Sequence, residues 1–282
     1  MNRCSHELRE PRRAVTAVIA RVMALAALLL SGCASLPGDV ERVASAALPA
    51  SVQTTIGRVA AASAPLPPAS GFRLMHSGPL ALDARLELIE RAERSLDVQY
   101  YHIQNDATGR RFMRGLRDAA VRGVRVRLLI DDLYTAGEDE LLLGLLAHGN
   151  AEVRLFNPFA ARGIGLISRF AASLHEFDRV QRRMHNKLFI ADGALAIAGG
   201  RNIGDEYYWQ SQTSVFFDLD VLLAGPVVDE MAGLFDRYWN SPHAYPAQAL
   251  LRSGLAPPAL RERFVVLAGD AVAPRLALPE VD

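Results

Sequence analysis

The stretch RRMHNKLFIADGALAIAGGRN, residues 182–202, gathers the side chains whose types and spacing best suit chemistry. His185 and Lys187 are two apart, and strand residues at that spacing share a face, so both would point the same way with Phe189. The pair Asp192-Gly193, between two short apolar runs, is a hairpin signal. It sets Asp192 at the turn and returns the chain so that Asn202 lies near His185. Gly199 and Gly200 leave bare backbone there, open to close approach by a ligand. An imidazole, an ammonium and a carboxamide converging on bare backbone suit a phosphodiester. Lys187 and Asn202 can bind non-bridging oxygens, and a neutral imidazole can attack phosphorus.

Such residues need a rigid frame, and the preceding chain has the pattern of one. ALDARLELIERAER carries Leu82, Leu86, Ile89 and Ala92 at helical spacing. SLDVQYYHI then reads as a strand, and DATGRRFMRGLRDAAVRG as a turn and helix closed by Gly123. VRVRLLIDD is a strand that stops at Asp131 and Asp132, GEDELLLGLLAHGN a helix, and AEVRLFN another strand. MHNKLFIA and ALAIAGG form the hairpin, VFFDLDVLLAG is a further strand, and Pro226 opens a last helix. Strands alternating with helices of this length predict an α/β fold, with a mixed, mostly parallel sheet flanked by helices on both faces. The compact domain is expected over residues 71–242. The tail, 243–282, has no clear period.

Composition narrows the function. The chain has 282 residues with 31 basic and 31 acidic side chains, so nothing in its charge favours a nucleic-acid partner. Half of its residues are hydrophobic, too many for a disordered chain. Arg3, Arg9, Arg12 and Arg13 precede an apolar core from Val22 to Leu30, the layout of an export signal over residues 1–32. It ends in LSGC, which resembles the lipobox of bacterial lipoproteins and implies cleavage before Cys33 and a lipid on its thiol. The alternative is a plain signal peptide with a chance cysteine. Residues 33–70, rich in Ala, Ser and Pro, read as a tether with a short helix around Val40 to Ala47. Asp131 and Asp132 invite a metal reading, but a carboxylate capping the turn after the strand is the simpler one. No His/Cys/Asp cluster has metal-ligand spacing, so neither metal nor cofactor is expected. His102, on a Tyr-rich strand, reads as a semi-buried histidine. Arg182 and Arg183 lie close enough to His185 to attract anionic head groups.

The spacing His-x-Lys-(x)4-Asp-(x)6-Gly-Gly-x-Asn, met at His185, Lys187, Asp192, Gly199, Gly200 and Asn202, resembles the signature of the phospholipase D superfamily. The flanks RAERSLDVQYY, RGVRVRLLIDDLYTAG, VRLFNPFA, GGRNIGDEYY and DRYWNS are similar to the amino-terminal half of the cardiolipin synthase C group, from about Phe72 to Ser241. This agreement of motif and flanks weighs against a surface strand with incidental polar residues. The resemblance implies a two-lobed, metal-free enzyme in which each lobe supplies one motif. One histidine attacks phosphorus to give a phosphohistidine and the other protonates the leaving alcohol. His185 would be the nucleophile or its acid–base partner. Lys187, Asn202 and Gly200 would bind the substrate phosphate, and Asp192 would have a structural, ion-pairing role. Asp218 would orient the histidine, with Asp220 the second candidate.

The chain departs from that pattern in one respect. Of its seven histidines, only His185 is followed by Lys at the second position, and the residues after 242 read as the truncated start of a second lobe or as an irregular tail. Three expectations follow. A second motif could come from a homodimer partner or a separate chain, acting on phospholipid at a lipid-anchored site in the cell envelope. The chain could instead be a catalytically incomplete phospholipid-binding lobe, or a single-motif nuclease.

Overall fold

The computed structural model describes residues 35–269, apart from 65–67, 163–164, 166–167, 171–172 and 174–175. The signal segment 1–32 and Cys33 lie outside the described residues. Eight strands form one sheet in the order β1-β7-β6-β5-β2-β3-β4-β8. They are β1 (Gly71–Met75), β2 (Ser95–Tyr100), β3 (Arg125–Asp131), β4 (Ala151–Phe156), β5 (Leu188–Ala191), β6 (Leu195–Gly199), β7 (Asp220–Ala224) and β8 (Ala244–Pro246). The mixed α/β class matches the sequence-based expectation. Parallel pairing, however, is confined to β2–β3 and β3–β4, and the other pairings are antiparallel. The motif hairpin turns straight back on itself, with no crossover helix to make its strands parallel.

Helices cover both faces. On one face α1 (Thr55–Ser63), α2 (Gly78–Arg91), α3 (Ala107–Val121), α4 (Asp139–Leu146) and α8 (Pro257–Ala268) pack on Leu96, Val98, Leu128, Val153, Phe189 and Ile197. On the other, α6 (Val227–Trp239) sets Val228, Phe235 and Trp239 against Leu129, Leu188, Ile190 and Leu223. The short α5 (Phe177–Val180) and α7 (Ala247–Leu250) fill the connections. Helix α3 starts where Asp106 accepts the amide of Gly109 at 2.8 Å, an N-cap hydrogen bond. Among the described residues no helix is long and apolar enough to cross a membrane.

The expected tether and tail are both part of the lobe over their described length. Residues 40–47 form no helix, and several of their backbone groups are engaged elsewhere. The Arg127 guanidinium, fully buried and paired with Asp97 at 2.6 Å and Asp236 at 2.8 Å, donates to the Ser45 carbonyl at 3.1 Å. Arg154, stacked on Trp239, donates to the Val43 carbonyl, and Asp236 accepts the Ala47 amide at 2.8 Å. Buried guanidiniums need acceptors, and this strap supplies them. Helix α1 then buries Ile56 and Ala60. Beyond residue 242, β8 pairs with β4 and α8 sets Leu260 and Phe264 into the main core. The limits of 71 and 242 are therefore too narrow. A three-residue strand and a helix with one thin apolar stripe carry little periodic signal.

Asp236→Ala removes acceptors from both Arg127 and the strap. It is expected to lower stability by about 2 kcal/mol in urea unfolding, and to open residues 42–50 to limited proteolysis.

Candidate active site

The hairpin forms as its sequence suggests. Asp192 and Gly193 both take positive φ, at 51° and 64°, and the Ala194 amide closes the turn onto Ala191 O at 3.0 Å. Strand β5 begins only at Leu188, so His185 and Lys187 lie in the extended segment leading into it rather than in the strand. Because β5 runs antiparallel to β2, that segment sits at the C-terminal ends of β2, β3 and β4. Asp131, the last residue of β3, fixes it by accepting the Met184 amide at 2.8 Å.

At this end two groups share one aromatic ring. The His185 imidazole packs edge-on to Tyr101, with centroids 4.7 Å apart, and the Lys187 ammonium lies 5.3 Å over the same ring. Lys187 is almost wholly buried, and its Nζ donates to the His185 carbonyl at 2.8 Å. His185 is exposed, yet the loss of water along its packed edge lowers its pKa. The Lys187 cation lowers it further, while Asp218 pulls the other way. Burial and the Lys187 cation thus favour the neutral imidazole, the form with a lone pair for attack. Burial also lowers Lys187, again opposed by Asp218. Burial first, and then its hydrogen bond with Tyr134, pushes the Tyr101 phenol well above its ordinary range, so it stays protonated. Sequence reasoning passed over Tyr101, whose only signal was its place just beyond β2, at the end of the sheet where the motif arrives.

The structure brings some of the expected residues to this end and assigns others elsewhere. Asn202 is nearby. Its Oδ1 accepts the His102 amide at 3.2 Å and its Nδ2 donates to the Tyr207 hydroxyl at 3.0 Å, which leaves one N–H of the carboxamide to offer a phosphate. Asp218 influences both His185 and Lys187 through its charge, and its carboxylate accepts the Leu219 amide at 2.8 Å. Gly200 makes room for that carboxylate. A Cβ there would stand 2.0 Å from Asp218 Oδ1, and the Gly200 amide already donates to Leu219 O at 3.1 Å. The glycine thus accommodates a side chain of the protein, where the sequence suggested a ligand.

Gly199 does the same for Asp220, whose Oδ1 would be 2.1 Å from an added Cβ. Asp220 does not orient the histidine. It is fully buried between Arg85 at 2.9 Å and Arg201 at 3.4 Å. Asp192 sits at the other end of β5 and makes no ion pair among the described residues. Its carboxylate instead accepts the amides of Glu93, Arg94 and Ser95, at 3.1, 2.8 and 3.0 Å, which locks the hairpin turn to the start of β2. Asp131 and Asp132 cap the turn after β3, accepting the amides of Leu133 and Phe159. Burial pushes Asp131 up to about 6 against the pull of Arg183. His102 is half-buried and stacks on Tyr134 at 4.5 Å.

Two outcomes are expected. Asp192→Ala strands three backbone donors and should cost about 3 kcal/mol of unfolding free energy by denaturant titration, with Asp192→Asn losing less. In an NMR titration the His185 ring should have a midpoint below 6.5, moving up in Lys187→Met and further down in Asp218→Asn. The signs follow from removing a cation that favours the neutral ring and an anion that favours the charged one.

Comparison with known proteins places the chain in a family. A family model described as cardiolipin synthase, PLD-like domain, matches residues 86–239. Cardiolipin synthase C of Escherichia coli (strain K12) is 48% identical over 171 residues, 61% of this chain and 35% of that protein. Cardiolipin synthase of Oceanobacillus iheyensis is 30% identical over 179 residues, 61% of this chain and 33% of that protein. The crystal structure of Nuc from Salmonella typhimurium, a phospholipase D family member, is 16% identical with a TM-score of 0.41, over 63% of this chain and 97% of that one. The chain spans about a third of the length of the curated relatives it matches. With more than half of its residues inside the family match and His185, Lys187 and Asn202 gathered at one end of the sheet, the chain belongs to the phospholipase D-like domain family of the cardiolipin synthases.

Proposed function

We propose that this lobe supplies one half-site of an envelope enzyme that breaks and re-forms a phospholipid phosphodiester. An imidazole nitrogen of His185 bonds to phosphorus as the bond from phosphorus to the departing alcohol oxygen breaks. That oxygen takes a proton from an acid supplied by a second motif. A lipid hydroxyl, or water, then yields its proton to the same group while its oxygen displaces the histidine nitrogen. Lys187 and the remaining N–H of Asn202 hold the non-bridging oxygens, and Asp218 steadies both cationic forms. The observation that carries this reading is the exposed His185 ring packed on Tyr101, with the Lys187 ammonium over the same tyrosine ring.

The second motif comes from a second copy of this chain or from a separate polypeptide. Supporting this, the rim beside Asp218 is apolar and uncovered, with Phe217 86% exposed next to Phe216, Leu219 and Trp209. Such a patch suits a covering partner. A lipid on Cys33 would hold the lobe at the membrane. A second reading is a lobe that binds phospholipid without turning it over.

Turnover of phosphatidylglycerol by the purified chain, with light scattering on the same sample, separates the two. A dimer that forms product and loses at least about 10³-fold of its rate in His185→Ala supports the half-site enzyme. A monomer that neither turns over lipid nor traps a phosphohistidine supports the binding lobe. Cleavage of single-stranded DNA with phospholipid untouched would overturn both.

A further inference from the structure

A cleft of about 500 Å³ opens at the same end of the sheet as His185, around the last residue of β4. Its volume lies in the range of roughly 300–1,000 Å³ typical of small-molecule sites. None of His185, Lys187 and Asn202 lines it. Its ionisable lining is Arg179 and Asp178 from α5, Arg182 and Arg183 from the link into the motif, and His243 ahead of β8. Three guanidiniums and an imidazole thus face one carboxylate.

The wall is built rather than accidental. Asn157 takes a left-handed φ of 47°, which asparagine tolerates, and its Nδ2 donates to the carbonyls of Arg179 and Arg182 at 2.6 and 2.7 Å. Its Oδ1 accepts from Arg179 Nη1 at 2.7 Å, so one side chain pins two of the arginines. Arg183 donates to the Asn157 carbonyl and lies 5.3 Å over the Phe159 ring.

Even so, the cations are not fully satisfied. Nε of Arg179 and both Nε and Nη1 of Arg183 are buried without a hydrogen-bond partner. Asp131 approaches Arg183 Nε no closer than 3.4 Å, and Glu176 pairs with Arg179. The side chain of exposed Arg182 makes no hydrogen bond or ion pair among the described residues. Phe156 and Tyr238, 5.6 Å apart, give the cleft an aromatic side. Unspent guanidinium donors beside an aromatic wall match a phosphate on a small carbon backbone, since guanidinium geometry fits phosphate oxygens.

We propose that this cleft is a second, non-catalytic anion site that holds the phosphate of a phosphate-bearing head group, separate from the phosphate position at His185. It does not depend on the chemistry assigned to His185. The phosphate could be that of a lipid or of a soluble ester, and the two sources are separable by experiment.

The full chain is titrated with sn-glycerol 3-phosphate by calorimetry, and sedimented with phosphatidylcholine vesicles with and without phosphatidylglycerol. Saturable binding in either arm is expected, weakened at least tenfold in Arg182→Glu, kept in Arg182→Lys and in His185→Ala, and little changed in Arg110→Glu, an equal charge change on α3. Binding of the soluble ester assigns the site to free phosphate esters; binding to phosphatidylglycerol vesicles alone assigns it to a lipid. Three results would overturn the proposal: no binding in either arm, equal loss in Arg110→Glu and Arg182→Glu, or loss in His185→Ala. Because Arg182 is exposed, an unchanged melting temperature of Arg182→Glu shows that any loss is not unfolding.

Discussion

One buried carboxylate governs the geometry of the site. Asp220 lies out of contact with water between the guanidiniums of Arg85 and Arg201, and Arg85 also donates to the Tyr100 hydroxyl at 2.8 Å. Arg201 gives its other donors to the carbonyls of Met75, His76, Tyr207 and Asp218. Burying such a cluster offers little net stability, but breaking it strands charges in a medium of low dielectric. The loop from Gly200 to Asn202 therefore has one place to go, and Asn202 and Asp218 arrive at the site with it. The Gly-Gly pair follows from the same constraint, because both glycines leave space that neighbouring carboxylates fill.

On that frame the electrostatics of His185 are set by opposed charges. Its packing on Tyr101 and the Lys187 cation favour the neutral ring, which a nucleophile requires. Asp218 opposes both effects and so favours the imidazolium that an acid–base role would pass through. Tyr101 provides a neutral π-face that an ammonium and an imidazole can share without adding a formal charge.

The outer parts of the lobe obey the same rule of satisfied buried charge. Arg127 and Arg154 sit beneath α6 on the face of the sheet where Trp239 and Phe235 pack, and part of their hydrogen bonding comes from the strap near Ser45. The strap is therefore part of the folded lobe. The apolar rim around Phe217 has no such cover.

The sequence by itself determined the α/β class and the hairpin across Asp192-Gly193, and it singled out His185, Lys187 and Asn202, which the fold brings to one end of the sheet. These depend on local spacing, turn chemistry and period, which short stretches record. It did not determine what the glycines make room for, that Asp192 locks a turn through amides, or that Asp220 is a buried anchor. Each of those depends on partners far along the chain, such as Ser95 for Asp192 and Arg85 for Asp220. Tyr101 and Arg201 carried no pattern of their own, because their importance comes only from what the fold sets beside them. Nor could the strap or α8 be read as part of the lobe, since their Ala- and Pro-rich sequences look like linkers until buried arginines and an open core face give them somewhere to bind. Local chemistry was written in the sequence, whereas the tertiary structure decided which charges would be buried together and hence where the site's loops must stand.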